Sequence, residues 1–397
     1  MRIGTYAILL IVSRLVWQNC AEVPKKARLY GMTQIISVST RAERKQWIDY
    51  PYQKYRHHPT WVPPMLIQEW DDTDPKKNPF YDHAEVELFI ALDNGKVVGR
   101  IAAILDKSFN QYRHENTVLF SSLEADNASI FKALLEQVEN WARSRGAQIV
   151  KGPSKIAQND MHGFLVDNFE DPPAVMMNYN PLEYIAWSEA AGYSKYEDTF
   201  AWKMTVAQGL PERVGRIAER VKKNLRVTLR PLNFKKMNEE VVHIRKIYNS
   251  AWSRNLGFVP WTESEIDHLK KQLGQVADQQ ISFMAEIDGN PVAFSLVLPD
   301  LNQALPGTGG KLLPFGIFKL QFFKYTRMRL VALGILDEYH GKGLDALLYA
   351  ESFWRGQKKY SSGEFGWTLE SNDGINNGMK ALGAIPYKRY RIFQKKL

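Results

Sequence analysis

The chain holds a single cysteine, Cys20. That count excludes a disulfide framework, a thiolate zinc cluster and a cysteine nucleophile in the folded part, and it fits a reducing compartment. Long hydrophobic runs are also missing. Met1 to Trp17 comes nearest, but Arg14 interrupts it and no small-residue cleavage pattern follows. No other stretch approaches the roughly 20 apolar residues of a membrane span. Residues 1–34 therefore read as an N-terminal extension, with Met32, just ahead of the strand-like Ile35 to Val38, as an alternative start. Long basic blocks are absent too, although Lys plus Arg number 52 against 43 Asp plus Glu, a net charge of +9. That bias suits a polyanionic partner such as an anionic membrane surface or a phosphate-rich co-substrate. No recognition helix or base-stacking module is visible, so nucleic acid is not expected. His57-His58 has no partner cluster, so no metal site is expected either.

What is present is the composition of a globular protein, 45% hydrophobic and 24% charged over 397 residues. One order of elements occurs twice. In the first half, β-rich Val86 to Leu92 and Val97 to Ile104 flank the turn Asp93-Asn94-Gly95. A strand at Val118 to Ser122 precedes a helix in which Phe131, Leu134, Leu135, Val138 and Trp141 recur at helical spacing before Gly146. A strand (Gln148 to Val150), a long polar loop, a helix (Leu182 to Ala191) and a closing strand (Thr199 to Met204) follow.

The second half repeats the pattern. Ile281 to Ile287 and Val292 to Leu298 flank Asp288-Gly289-Asn290-Pro291; then come a strand (Arg329 to Leu336), a helix (Leu344 to Trp354), a strand (Glu364 to Leu369), a helix stopping at Gly383 and a strand (Lys388 to Gln394). Gln208-Gly209-Leu210-Pro211 reads as the linker, and Glu212 to Leu225 as a basic amphipathic helix. The expected fold class is α/β, with a mixed sheet in each of two tandem units, residues 35–207 and 208–397.

The segment VALGILDEYHGKGLDALL, Val331 to Leu348, carries the chemistry. A strand runs through Leu336 into the turn Tyr339-His340-Gly341-Lys342-Gly343, which opens directly into a helix at Leu344. Glycines let the backbone approach a ligand, and the free N–H groups of a first helical turn favour an anion. His340 and Lys342 stand at the rim. Glycine also marks ordinary turns, so the feature gains weight only from its strand–turn–helix context.

This turn resembles the pyrophosphate loop of the GCN5-related N-acetyltransferase (GNAT) superfamily, Gln/Arg-x-x-Gly-x-Gly/Ala, with matches at Gly341 and Gly343 and a departure at Glu338. The resemblance implies acyl-CoA as co-substrate, no tightly bound cofactor, and a pantetheine arm between Gly334 to Leu336 and Glu364 to Leu369. The equivalent turn of the first half, Ser122 to Ser129, has no glycine, and that half is expected to keep the fold without binding CoA. From about Arg41 onward the chain resembles the two-unit bacterial N-acyltransferases that include the bacterial ceramide synthases. The shared segments include Gly152-Pro153, Asn159-Asp160, Asp171-Pro172-Pro173, Tyr179-Asn180-Pro181, Trp252 through Pro260, and Glu370 with Asn372. That resemblance implies transfer of a long-chain acyl group to the amine of a sphingoid base or its keto form.

Acylating an amine needs a proton acceptor, an oxyanion site and a leaving thiolate. Glu370 is the first candidate for the base, with Asp337 and Glu338 as alternatives at the opposite lip. Asn372 is a candidate for binding pantetheine or acceptor, and N–H groups near Leu336 for the oxyanion site. Tyr387 or Tyr390 is the candidate acid. Asn159 and Asp160, with His162 and Asp167 in the same polar loop, and Tyr179 and Trp252, are candidates for holding the acceptor. The stretch Ala304 to Leu330 interleaves Leu, Phe and Ile with Lys and Arg, a pattern suited to a membrane interface, to an acyl-chain wall, or to a buried connector. A cytoplasmic enzyme in peripheral contact with the inner membrane is the leading expectation. A short-chain acetyltransferase of a small amine, amino acid or protein lysine is the second reading, and a non-catalytic CoA- or nucleic-acid-binding regulator the third.

Overall fold

The computed structural model describes residues 33–397 except 157, 162, 254 and 256, and leaves out the side chains of 158–161, 269 and 271–276. The leader-like Met1 to Trp17, Cys20 and Met32 lie outside the described residues, as do His162 and the side chains of Asn159 and Asp160.

The first half runs β1 (Gln34–Ser37), α1 (Arg41–Lys54), α2 (Leu66–Asp72), β2 (Ala84–Asp93), β3 (Lys96–Asp106), α3 (Lys107–Arg113), β4 (Thr117–Ala125), α4 (Ala128–Ser144), β5 (Ile149–Lys155), β6 (Gln158–Met161), β7 (Phe164–Leu165), α5 (Glu183–Ala190) and β8 (Ser194–Thr205). The second runs α6 (Glu212–Asn224), β9 (Thr228–Pro231), α7 (Met237–Ala251), α8 (Glu263–Val276), β10 (Phe283–Ile287), β11 (Asn290–Pro299), α9 (Gly316–Phe322), β12 (Arg327–Ile335), α10 (Leu344–Gly356), β13 (Ser362–Leu369), α11 (Asp373–Ala381) and β14 (Ile385–Lys396).

Local chemistry sets most boundaries. The β2–β3 hairpin turns at Asn94 and Gly95, both with positive φ, the pattern of a type I′ turn. α4 begins where the Asn127 side chain accepts from the Ile130 N–H, and it buries Ile130, Phe131, Leu134, Leu135 and Val138. α1 escapes a periodicity reading, because its sequence RAERKQWIDYPYQK is polar and contains Pro51. A capping box between Thr40 and Glu43 starts it nonetheless, and Trp47 and Ile48 dock it on the sheet.

The expectation of one sheet per half needs a correction. Among the described residues the strands form a single sheet in the order β1-β2-β3-β4-β5-β14-β8-β13-β12-β11-β10-β9. The two closing strands are exchanged. β14, from the second half, lies between β5 and β8, with Phe393 opposite Gly152; β8, from the first, lies between β14 and β13, with Thr205 opposite Ser362. Each closing strand is thereby paired on both edges, and the exchange ties the halves together through three consecutive ladders. The linker after β8 thus joins two stretches of sequence whose strands share one sheet.

Side-chain links add to this seam. His83, before β2, places Nδ1 2.9 Å from Asp106 and Nε2 3.1 Å from Glu265 of α8 in the other half. Burial alone would lower the imidazole pKa, but hydrogen bonds to two carboxylates outweigh it and raise it to about 10. A group held above its unfolded value stabilises the fold fully below about pH 6.5, and that stability is lost as pH rises through about 10. Replacing His83 with Gln is expected to cost about 1–2 kcal/mol at pH 6, allowing for the partial solvent access of the pair. Denaturant midpoints measured from pH 6 to pH 10.5 should converge for the two proteins at the alkaline end; a gap that persists there would assign the loss to packing rather than charge.

Candidate functional site

A parallel pair of strands opens at the middle of the second half. β12 and β13 are in register from Arg327 opposite Ser362 to Leu330 opposite Phe365, and no pairing follows. β12 continues to Ile335 against β11, with a bulge: Ala332 faces Leu296, Leu330 faces Val297, and Val331 faces no residue. β13 continues along β8 with its own irregularity at Gly366 and Trp367. Between the diverging strands, Val331, Ala332 and Leu333 face Gly366 and Trp367, all half-buried. On the other side of β12, Gly334 has no room for a side chain. A Cβ there would lie 2.8 Å from Phe294 and Trp252.

The predicted turn sits at the mouth of this opening and is exposed. Gly343 occupies the N-cap of α10 at φ 80, where it offers no side chain to cap the helix. Among the described residues nothing accepts a hydrogen bond from the N–H groups of Gly341, Gly343, Leu344, Asp345 or Ala346. The space around Gly341 is clear for 4 Å. Beneath Gly343 lie Val221 and Ile217 of α6, whose exposed Arg213 and Arg220 stand about one turn either side of Ile217. A helix N-terminus with free amides, two glycines and flanking arginines can hold a diphosphate. Lys342 is exposed, its Nζ 4.9 Å from the Tyr339 ring centre, and can reach such a ligand. His340 is otherwise engaged, with Nε2 3.0 Å from the Ile335 carbonyl. Tyr339 is half-buried and packs on the core.

The matching position of the first half is filled. Asn127 caps α4 with its own side chain, and the Tyr55 and Tyr184 hydroxyls donate to the buried Glu124 carboxylate. Lys54 reaches in to donate to the Ala125 carbonyl and the Tyr184 hydroxyl.

At the closed end of the opening lies a buried charge pair that the motif reading missed. Arg329 Nε is 3.1 Å from Glu364 Oε1, and both side chains are at most 2% exposed. Arg329 also donates to the carbonyls of Val175 and Gly366 and lies over the Trp367 ring. The Tyr387 hydroxyl donates to the other Glu364 oxygen. Burial pushes the Glu364 carboxyl above its ordinary pKa against the opposing pull of Arg329 and Tyr387, and burial beside Glu364 pushes Tyr387 far up, so the phenol stays protonated. Next along β12, Arg327 pairs with Asp300 at 2.5 Å and lies 3.5 Å from Asp171.

The first half's polar loop seals this floor. Val175 N–H donates to Asp300, Asn302 donates to the Pro173 carbonyl, and Lys388 of β14 donates to the carbonyls of Asn168 and Asp171. Burial lowers Lys388 to a pKa of about 8, with Asp171 opposing. An open surface hollow of about 270 Å³ is lined by Asp167, Asn168, Phe200, Tyr387, Lys388 and Arg389.

The other sequence candidates stand elsewhere. Glu370 ends β13 at the surface, where its carboxylate pairs with Lys195. Asn372 caps α11, its side chain accepting from the Ile375 N–H at 3.2 Å. The Leu336 N–H, expected near the oxyanion site, is committed to the Val292 carbonyl at 2.9 Å. Trp252 is stacked between Tyr248 and Phe294 as part of the core. Tyr179 donates or accepts at His58 Nε2, 2.7 Å away, in an aromatic cluster with Tyr55. A signal for the missed pair did exist, because Arg327 and Arg329 alternate inside the apolar run RMRLVALGI. In sequence both fall within the basic amphipathic stretch Ala304 to Leu330, with Arg329 opening a strand, and neither is assigned to the site. Among the described residues, no His, Cys, Asp and Glu cluster could hold a metal, and no helix is long and apolar enough to cross a membrane.

Comparison with known proteins fits this geometry. No protein-family model matches. The chain is 34% identical over 379 residues to the bacterial ceramide synthase of Caulobacter vibrioides (strain NA1000 / CB15N), across 91% of this chain and 97% of that protein. It is 33% identical over 364 residues to protein YghO of Escherichia coli (strain K12), across 89% and 93%. Among solved structures, a tandem GNAT protein from the clavulanic acid biosynthesis pathway superposes with a TM-score of 0.54 at 14% identity, over 92% of this chain and 98% of that one. A GCN5-related glucosamine N-acetyltransferase region of a fungal multi-domain β-N-acetylglucosaminidase gives 0.56 at 12% identity, over 92% and 38%. At such identities the structural likeness speaks for the fold, while the two sequence relatives speak for descent. The chain belongs to the bacterial ceramide synthase family, N-acyltransferases built on two joined GNAT-like units.

Proposed function

We propose that the chain transfers a long-chain acyl group from acyl-CoA to the primary amine of a sphingoid base or its keto form, giving a ceramide-type amide. The observation that carries this reading is the near-full-length relation to an enzyme named bacterial ceramide synthase. Such an acceptor lives in a bilayer, so the reaction takes place at a peripheral contact with the inner membrane.

In this reading the diphosphate rests on the amides from Gly341 to Ala346, and pantetheine runs into the opening between β12 and β13. The thioester carbonyl then meets the bulge, where Val331 has no residue opposite it on β11 and its N–H serves the oxyanion. The acceptor enters through the hollow at Tyr387. Its ammonium loses one proton through the Tyr387 hydroxyl to Glu364, whose burial raises its pKa and makes it a stronger base than an ordinary carboxylate. The free amine attacks the carbonyl carbon. Collapse of the tetrahedral intermediate breaks the C–S bond, and the second nitrogen proton goes to the departing sulfur. A thiol has an ordinary pKa near 8.5, so its departure needs little further help.

Three measurements test the reading. Gly341→Ala places a Cβ where nothing lies within 4 Å, at a strain of about 1–2 kcal/mol from its positive φ; calorimetric CoA binding is expected to weaken at least about tenfold, and unchanged affinity would move the diphosphate elsewhere. Glu364→Gln and Tyr387→Phe are expected to lower kcat by about 10²–10³ with little change in the KM for acyl-CoA. Because Glu364 must be deprotonated to act, wild-type kcat should fall as pH drops through its raised pKa, and Glu364→Gln should flatten that acid limb. Wild-type rates in both variants would remove the pair from the chemistry. With sphinganine as acceptor, mass spectrometry should find amide from palmitoyl-CoA far in excess of amide from acetyl-CoA; the reverse preference would support the short-chain reading.

A further inference from the structure

The connection between β11 and β12 carries an apolar surface that the acyl-transfer chemistry leaves unexplained. In the first half the equivalent link is the short polar helix α3. In the second it spans residues 300–326 and includes α9. Its stem is locked: Gln303 exchanges hydrogen bonds with Thr326, and the Asp300 N–H donates to the Arg327 carbonyl. Its flank is seated on the first half, where the Leu66 N–H donates to Gly310. Its tip faces outward. Leu313, Phe315 and Phe322 are 74%, 79% and 77% exposed, and Ile317 and Phe318 stand exposed beside them. A folded segment that shows five large apolar side chains within ten residues needs an explanation that a scattered surface leucine does not.

The charges identify the occupant. From Leu301 to Leu336 the chain contains no acidic residue, while Lys311, Lys319 and Lys324 fall before, within and after the apolar tip in sequence. Lys319 donates to the Pro306 carbonyl; among the described residues Lys311 and Lys324, both exposed, have no carboxylate in ion-pair range. The helix face is about 10 Å long and about 10 Å wide, on the order of 100 Å² against the ~800 Å² per partner of a stable protein interface. An exposed aromatic segment interleaved with lysines matches the interface of an anionic bilayer, with phosphate headgroups outside and acyl chains a few ångströms beneath.

We infer that the α9 tip is a membrane anchor: Leu313, Phe315, Ile317, Phe318 and Phe322 enter the outer part of an anionic bilayer leaflet, and Lys311 and Lys324 lie among its headgroups. The anchor fixes the orientation of the enzyme. Both stems of the connection run directly into the floor of the site, at Asp300 and Arg327, so docking brings that closed end, remote from the 339–343 turn, toward the lipid surface. This inference rests on the patch and not on the identity of the acceptor.

Co-sedimentation with vesicles tests it, using the full chain. With vesicles containing about 30% phosphatidylglycerol the wild-type protein is expected to pellet, with binding weakened by salt; with phosphatidylcholine alone it should bind far less. Phe315→Ser/Phe318→Ser/Phe322→Ser, all at exposed positions, should lower the partition coefficient on the order of 100-fold while leaving the thermal unfolding temperature within a few degrees. Lys311→Glu/Lys324→Glu should abolish the preference for the anionic lipid. Wild-type protein that stays in the supernatant, or a triple variant that pellets like the wild type, overturns the inference. So does a concentration-dependent dimer that the triple variant loses, because the tip would then be a contact between copies of the chain. If the wild-type enzyme acylates a detergent-dispersed base but ignores vesicles, the anchor fails and the acyl-transfer reading stands.

Discussion

The constraint behind this architecture is that backbone groups inside a sheet must be paired. The chain meets it at the seam by handing each half's last strand to the other, so that β14 and β8 are paired on both edges. One place is left open. Where β12 parts from β13, after Leu330 and Phe365, ladder groups and half-buried side chains face an opening, and the exposed amides of residues 341–346 lie at its rim. The proposed acyl-CoA site uses this gap.

The floor of the gap is held by charge. Arg329 and Glu364 are opposite each other in register, fully buried, and tied to Val175, Gly366 and Tyr387. Two apolar residues would fill that volume at lower desolvation cost, so the pair is weak evidence for stability and better evidence for a role in positioning or proton transfer. The first half contributes here without a ligand loop of its own. Its polar segment, through Asp171, Pro173 and Val175, forms the wall over Asp300, Arg327 and Lys388, while its own cleft is plugged by Tyr55, Tyr184, Lys54 and Glu124. One half therefore supplies the opening, and the other supplies its lining.

Much of this was legible in the sequence. Hairpin turns at Asn94-Gly95 and Asp288-Gly289, the periodicity of α4, and the strand–glycine turn–helix passage at 331–348 each depend on short-range rules, and each lies within a few residues of its expected place. The strand exchange was not legible, because pairing Gly152 with Phe393 leaves no mark at either residue. α1 was hidden by its polar composition and Pro51. The site followed the same division. Gly341, Lys342 and Gly343 stand on an exposed turn, but the candidates beyond it were drawn from strand ends. There Glu370 is a surface ion pair and Asn372 a helix cap. Arg329 and Glu364 went unassigned because a charged residue at the start of a strand can be buried or solvated, and only the three-dimensional neighbours reveal that it is buried.

The exchange of strands also bears on how the molecule is made. During synthesis the first half emerges long before β14, so its sheet between β5 and β8 waits for a segment the ribosome has not yet delivered, and the closing contacts span most of the polypeptide. Until then the facing edges of β5 and β8 are bare strands on a nascent chain, the kind of surface that chaperones cover. Completion of the two units is thus a single late event, and a truncated transcript would yield neither half.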